Sequence, residues 1–316
     1  MSKVSQIKAL AFQMAPRFVQ NKVLEYLENK KMAHWQECFN TKVSRAEVDE
    51  LFSKMVLDSD VMIHSSLPDL GQIKLRDVTT NLTGHVLERG YTVLCPALPI
   101  KGSSLDYLKS IKEFDVRTAP NAMGAVSCFY GRHEGSRRSL SPTHSVVALG
   151  GQASYYVGEH HLSKTPFTEK SPYFKLIQNK GKILMFGASL KNLTFVHVVE
   201  DMIGEDALPV RIYDPHVFEV NVIDELGAET KGFFQAHSRK SSRMRDTELI
   251  MKKVRELAST QVFSVGCGEV LLLDAKDVCL CLLSNLKNGI SSMGRIRVSQ
   301  ECRQRADNWI GRIEQL

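Results

Sequence analysis

The chain has 316 residues, 43% of them hydrophobic and 24% charged, with a formal net charge of +6 at pH 7. That length holds one large or two small domains around a substantial core, and the composition is that of an ordinary soluble globular protein. No apolar run approaches the ~20 residues of a membrane helix, and a charge of +6 on a chain this long does not by itself point to nucleic acid.

The N-terminal stretch MSKVSQIKALAFQMAPRF is interrupted by Lys8 and Gln13 and has neither an apolar core nor a cleavage site. The expectation is therefore no signal peptide and a cytoplasmic protein. Residues 1–54 read as a helical extension, with Phe18, Val23, Tyr26 and Leu27 approximating one stripe that Trp35, Cys38 and Phe39 continue. The seven cysteines are scattered, odd in number and without a CxxC pair, which predicts reduced thiols rather than disulfides or zinc ligands.

From Asp58 the pattern sharpens. Asp60–His64 reads as a strand, Ser65–Gly71 as a small polar turn and Leu75–Leu87 as a helix. Strand, turn and helix in that order can aim backbone N–H groups at an anion, although a plain connection has the same appearance. A second strand, Gly90–Ala97, ends near Pro96. Arg138, Ser139, Ser141, Pro142, His144 and Ser145 then lead into the strand-like Val146–Gly150. An arginine near a turn binds phosphate or carboxylate through its fork, or serves as a structural ion pair. The adjacent His160 and His161 point apart on a helix and have no supporting carboxylate or cysteine spacing, so they predict no metal site.

Lys182–Ala188 is short, apolar and bounded by glycines, as a buried strand should be. After it Thr194 can cap a helix on which His197 and Glu200, three apart, share a face. A carboxylate one turn from a histidine can orient the ring and stabilise its charged form, which suits a general base near pH 7. Beyond Glu200, strand-like runs such as Val217–Ile223 suggest a small antiparallel subdomain. The carboxylates Asp201, Glu205, Asp206, Asp214 and Glu219 lie nearby; they could line a wall for a cationic amine or simply be solvated. The basic run HSRKSSRMR, His237–Arg245, lacks interleaved aromatics and reads as a solvated loop.

The block GKILMFGASLKNLTFVHVVE, Gly181–Glu200, resembles the aminoglycoside 3-N-acetyltransferase family, which carries a similar strand followed by Thr-x-x-His-x-x-Glu. His64-Ser65-Ser66-Leu67 is similar to the family's Val-His-Ser-Ser-Leu, and Gly90–Ala97 to its Gly-Thr-Leu-x-x-Pro. Arg138, Ser139, Pro142 and Ser145 match its Arg-Ser-x-His-Pro-x-x-Ser, and Val265–Ala275 its closing strand. The resemblance covers about Asp58–Asn288. It implies a transferase domain over 55–288, with 1–54 a helical extension and 289–316 a C-terminal tail. The implied fold is α/β, with α/β/α layers around a central mixed sheet.

The resemblance also implies an acetyl-CoA-dependent N-acetyltransferase of the antibiotic-resistance kind. It would act on a primary amine of an aminoglycoside-like or amino-sugar substrate, by direct attack with His197 as base and Glu200 as its orienting partner. His64, Ser65, Ser66, Leu67, Arg138, Ser139 and Ser145 would contact acetyl-CoA, Thr194 and Ser141 the acceptor, and no metal, nucleic acid or membrane would take part. Ser141 stands where the family has histidine, and His144 is either its substitute or a buried structural residue. A basic chain is also compatible with an amino sugar carried on a nucleotide or polysaccharide, and a silent family member acting as an interaction protein is the alternative from another class. Oligomeric state is open, a homo-oligomer included.

Overall fold

The computed structural model describes residues 17–100 and 102–316. Seven strands form the main sheet: β1 (Val61–Ser65), β2 (Val93–Pro96), β4 (Arg137–Arg138), β5 (Val146–Leu149), β6 (Lys182–Phe186), β9 (Gln261–Val265) and β10 (Gly268–Asp274), in the order β4-β5-β2-β1-β6-β10-β9. β1 runs parallel to both β2 and β6, while the β2–β5, β4–β5, β6–β10 and β9–β10 pairs are antiparallel, so the sheet is mixed.

Strand periodicity puts alternate residues on opposite faces, and both faces here are buried. Met62, Ile183, Met185, Leu271 and Leu273 enter one apolar cluster, and Val61, Ile63, Leu184, Phe186, Val270 and Leu272 the other. That explains why these strands read as continuous apolar runs. Helices cover each face. α6 (Ala153–Val157), α7 (Pro172–Gln178), α8 (Phe195–Ile203), α10 (Glu248–Arg255), α11 (Ala275–Lys287) and α12 (Gln300–Glu314) pack on the first. α2 (Arg45–Lys54), α3 (Leu75–His85) and α5 (Ala125–Gly131) pack on the second. The architecture is the expected α/β/α sandwich. The small second sheet departs in one respect: β7 (Phe218–Ile223) and β8 (Glu229–Phe234) are antiparallel, but β3 (Glu113–Asp115) joins β7 in parallel.

Helices from both terminal segments pack on the core. α2 begins with a Ser44–Glu47 capping box and buries Val48, Leu51 and Phe52. α12 buries Cys302, Ala306 and Ile313 in the main cluster. Ile313→Val is accordingly expected to cost about 0.5–1.5 kcal/mol in urea unfolding, the usual loss for a buried methylene; no measurable change would mean that the tail is dispensable to the core. Of the stripe expected on α1 (Arg17–Asn40), Tyr26, Trp35 and Phe39 are exposed and Cys38 is buried. Met1–Pro16 and the side chains of Phe18, Val23 and Leu27 lie outside the described residues.

Cys38 also overturns the expectation of reduced thiols, because it forms a disulfide with Cys267, their Cα atoms 5.5 Å apart. Sequence spacing could not disclose a pair separated by 229 positions. The other five cysteines are free. Disulfides persist in oxidising compartments, so in a reducing cytosol this pair would stand as two neighbouring thiols. No helix among the described residues is long and apolar enough to cross a membrane.

Candidate active site

β1 lies between two parallel neighbours, with its connection to β2 leading one way and β6 lying on the other side. The carboxyl ends of β1 and β6 thus flank a topological switch point, where open α/β sheets place their ligands. Gly187 ends β6 at φ +72°, and a Cβ there would lie 2.4 Å from the Ser66 carbonyl oxygen. Only glycine permits the two strand ends to approach so closely. Ser65 and Leu67 sit half-buried at this end, and Ser66 Oγ donates to Asp69 Oδ2 at 2.6 Å. His64 is buried just before them; its Nε2 has no protein partner, and burial pushes its pKa down to about 4.

The helix after β6 carries the dyad. Thr194 occupies the N-cap position of α8 but is itself helical and makes no side-chain cap, and its Oγ1 is buried without a partner. One turn on, His197 Nδ1 lies 2.8 Å from Glu200 Oε2. A carboxylate only accepts, so Nδ1 carries the proton and Nε2 is left with its lone pair.

Glu200 is the most heavily bonded carboxylate of the site. Arg245 donates Nη1 to Oε1 at 2.7 Å and Nη2 to Oε2 at 3.1 Å, and Ser292 Oγ donates to Oε1. Burial opposes the charge, but Arg245 and His197 outweigh it and hold the Glu200 carboxyl well below its usual range. His197 is shifted down, chiefly by burial and next by Arg245, against the attraction of Glu200.

Two more rings complete the cluster. His237 packs on His197 with centroids 4.4 Å apart and stacks on Tyr213 at 4.9 Å. His144 lies 5.3 Å from His237 and 6.5 Å from His197, with Phe167 against both His144 and His197. His237 Nε2 is buried without a partner. Burial, then the neighbouring rings and Arg245, lower the pKa values of His144 and His237 well below the ordinary histidine value. These histidines bind fewer protons folded than unfolded at mildly acidic pH. Stability is therefore complete above the unfolded value of about 6.5 and falls as pH drops toward the folded values. Urea titrations at pH 7.5 and 5.0 should give a lower midpoint at pH 5.0; equal midpoints would mean that the rings are not buried neutral.

His197, Glu200 and His237 place three potential metal donors within 4.8 Å of one another. The donor types suit a divalent cation, but the two Glu200 oxygens already receive His197, both Arg245 nitrogens and Ser292, which fills about four lone-pair sites. Arg245 supplies the positive charge opposite Glu200, so this carboxylate has no free lone pair to offer a cation.

The expected cofactor contacts upstream have a different setting. Arg138 is a brace: its guanidinium donates to the carbonyls of Ala97, Ala119 and Pro120 at 2.5–2.9 Å and to Ser145 Oγ at 3.0 Å. Ser145 Oγ in turn donates to Ala97 O, and burial lowers the Arg138 pKa to about 10. Ser139 Oγ accepts from Val146 N. It lies 2.8 Å from His160 Nδ1, while His160 Nε2 donates to Pro166 O; the ring therefore accepts the Ser139 proton. Ser141 Oγ is buried without a partner. The structure thus draws His144 to His197 and leaves Arg138, Ser139 and Ser145 in a protein-only network.

Two site residues come from the run read as a solvated loop. His237 and Arg245 point inward, and only residues between them are exposed. Ser292 comes from the segment read as a tail.

The site is thus a half-buried histidine and arginine joined through a buried glutamate, carried on a mixed α/β/α sheet. The chain belongs to the aminoglycoside 3-N-acetyltransferase family, whose model matches residues 62–287. Among curated proteins it is similar to aminoglycoside N(3)-acetyltransferase III of Salmonella sp, 28% identical over 169 residues, covering 48% of this chain and 58% of that one. It thus spans a little over half the length of the curated relatives it matches. Among solved structures its fold is similar to AAC-IIIb in a binary complex with CoASH, with TM-score 0.61, 19% identity, and 78% of this chain and 96% of that one covered. AAC-VIa bound to sisomicin gives TM-score 0.60 at 20% identity, covering 75% and 95%.

Proposed function

We propose that the protein transfers an acetyl group from acetyl-CoA to a primary amine by direct attack within a ternary complex. The observation that carries this reading is the His197–Glu200–Arg245 arrangement, a neutral imidazole held by an ionised, fully paired carboxylate. An ammonium cannot attack a thioester, so the acceptor first gives its extra proton to solvent, and the neutral amine that attacks must lose one more proton as the C–N bond forms. His197 Nε2 takes it, while Glu200 keeps Nδ1–H oriented and stabilises the imidazolium. The C–S bond then breaks, the thiolate departs, and the proton held on His197 returns to it, so no covalent enzyme intermediate is required.

Acetyl-CoA supplies the activated acyl group; Ser65, Ser66 and Leu67 at the β1 end, with the orphan His64 Nε2 beneath, are the groups assigned to hold it. Ser139 and Ser145, which the resemblance puts against acetyl-CoA, already bond to protein partners, so we assign the cofactor to the β1 end alone. Thr194 and Ser141 keep buried, unpartnered hydroxyls and are assigned to the acceptor side. The reading is further supported by the names of the relatives, which are aminoglycoside N(3)-acetyltransferases, and by the CoASH complex of a protein sharing the fold. We place the reaction in the cytoplasm, where the Cys38–Cys267 pair would be held as thiols.

The test is incubation of the purified protein with acetyl-CoA and a panel of aminoglycosides and amino sugars, following free thiol. Thiol release that depends on one acceptor class is the expected result. Failure to bind acetyl-CoA at all would overturn the reading and leave an interaction protein on an enzyme fold.

A further inference from the structure

We infer that the acceptor amine is carried on an anionic molecule, of the chemical class of amino sugars linked to phosphate, which enters beside Arg239 and Arg243. The inference rests on the transferase reading and narrows its substrate.

A cleft of about 440 Å³ reaches the buried histidines, with His144 and His237 in its wall. Its polar lining is otherwise Ser103, Ser104, Thr143, Ser242, Arg239 and Arg243, with no carboxylate among the described residues that line it. The two arginines stand at the ends of the short helix α9 (Arg239–Arg243), four residues apart and therefore on one face. Like charges in that relation repel each other, and an anion between them relieves the repulsion. Guanidinium forks also match phosphate oxygens in pairs. Arg239 spends one donor on Asp106, at 2.5 Å, and keeps the rest of its fork.

A polycation entering here would meet Arg243 and Arg239, and the carboxylate beside them, Asp106, is already paired with Arg239. The carboxylates that could have formed a cationic subsite are committed elsewhere. Asp201, half-buried, accepts from Tyr213 Oη and the Phe167 amide, and Asp206 pairs with Arg305. Glu205 faces Arg211 and the Tyr213 amide, Glu219 pairs with Lys231, and Asp214 Oδ1 accepts from the His216 amide. Glu200, the carboxylate nearest the histidines, has its oxygens filled.

Phosphate groups could reach these arginines from two sources, the acceptor or coenzyme A itself, and the experiment separates them. Calorimetric titrations use CoA-saturated protein with UDP-glucosamine and with kanamycin as probes, on the parent and on the Arg239→Gln/Arg243→Gln double variant. Both side chains are at the surface, so the fold is not at risk. The expected result is binding of UDP-glucosamine to the parent, weakened about 10-fold or more in the variant, as loss of charged hydrogen bonds implies, with CoA affinity unchanged. The inference is overturned if kanamycin binds and UDP-glucosamine does not, or if the variant loses affinity for CoA instead, which gives the arginines to the cofactor. Absence of any CoA binding would defeat the transferase reading separately; arginine-dependent binding of UDP-glucosamine to the free protein would then still support an anion-accepting cleft, and its absence would sink that as well.

Discussion

His197→Ala is expected to lower the turnover number for acetyl transfer by about 10²–10⁴-fold, the usual contribution of a positioned general base. The reasoning is geometric. Nδ1 is committed to Glu200 at 2.8 Å, so Nε2 is the one nitrogen of this ring left to take a proton. The two neighbouring rings cannot substitute at full strength, because neither has a carboxylate partner: His144 Nδ1 meets only Thr143 Oγ1, and His237 stacks on Tyr213. Loss should fall on the turnover number rather than on KM, since alanine leaves the cleft walls in place. The measurement is thiol release at saturating acetyl-CoA. A loss of less than tenfold would remove His197 from the chemistry and make His237 the next residue to replace.

The second large effect belongs to a residue outside the dyad. Arg245→Met should destabilise the fold by about 3–5 kcal/mol, because removing one partner of a buried pair strands the other charge. Glu200 would keep only His197 and Ser292 as donors. A second consequence separates this from a generic loss of stability. Arg245 now disfavours the imidazolium, while Glu200 favours it. With the guanidinium gone and the carboxylate still ionised, the His197 pKa must rise. The acidic limb of the pH–rate profile, which should lie below the ordinary histidine value of about 6.5 in the parent, would move to higher pH. Urea unfolding reads the first effect and kcat/KM against pH the second. An acidic limb that stays in place, or shifts lower, would show that Arg245 does not set the proton affinity of the base.

Much of this architecture is legible in the sequence, for reasons the structure makes plain. The strands of the central sheet are covered on both faces, so they stand out as unbroken apolar runs, and the glycines around Lys182–Phe186 mark the ends of β6. The His197–Glu200 pair is visible because helical spacing brings positions three apart together. What lies beyond that reach could not be read. Arg245 is 45 positions from Glu200 and Ser292 is 92, and no periodicity links them. The run His237–Arg245 is charged enough to look like a solvated loop, yet its two end residues point inward. Arg138 shows the same limit from the other side: its motif suggests a ligand, and no spacing announces its bonds to the carbonyls of Ala97, Ala119 and Pro120 and to Ser145 Oγ. Thr194 has the right residue type and position for a cap, but its own backbone is already helical, which turns the hydroxyl away from the amides it would serve.

When the protein is handled without reductant, the bond between Cys38 and Cys267 turns most of the chain into a closed ring. Every strand from β1 to β9 lies on that ring, whereas β10, which starts at Gly268, is the first strand past it. Yet β10 is hydrogen-bonded between β6 and β9, two strands that the ring carries. The protein is thus a loop with a free arm laid back across it. One protease cut at the exposed Leu226, in the turn between β7 and β8, would open the ring without releasing a fragment. The two pieces would migrate together on a denaturing gel until a reductant separates them, so a change in mobility that requires both protease and thiol reports this connection directly.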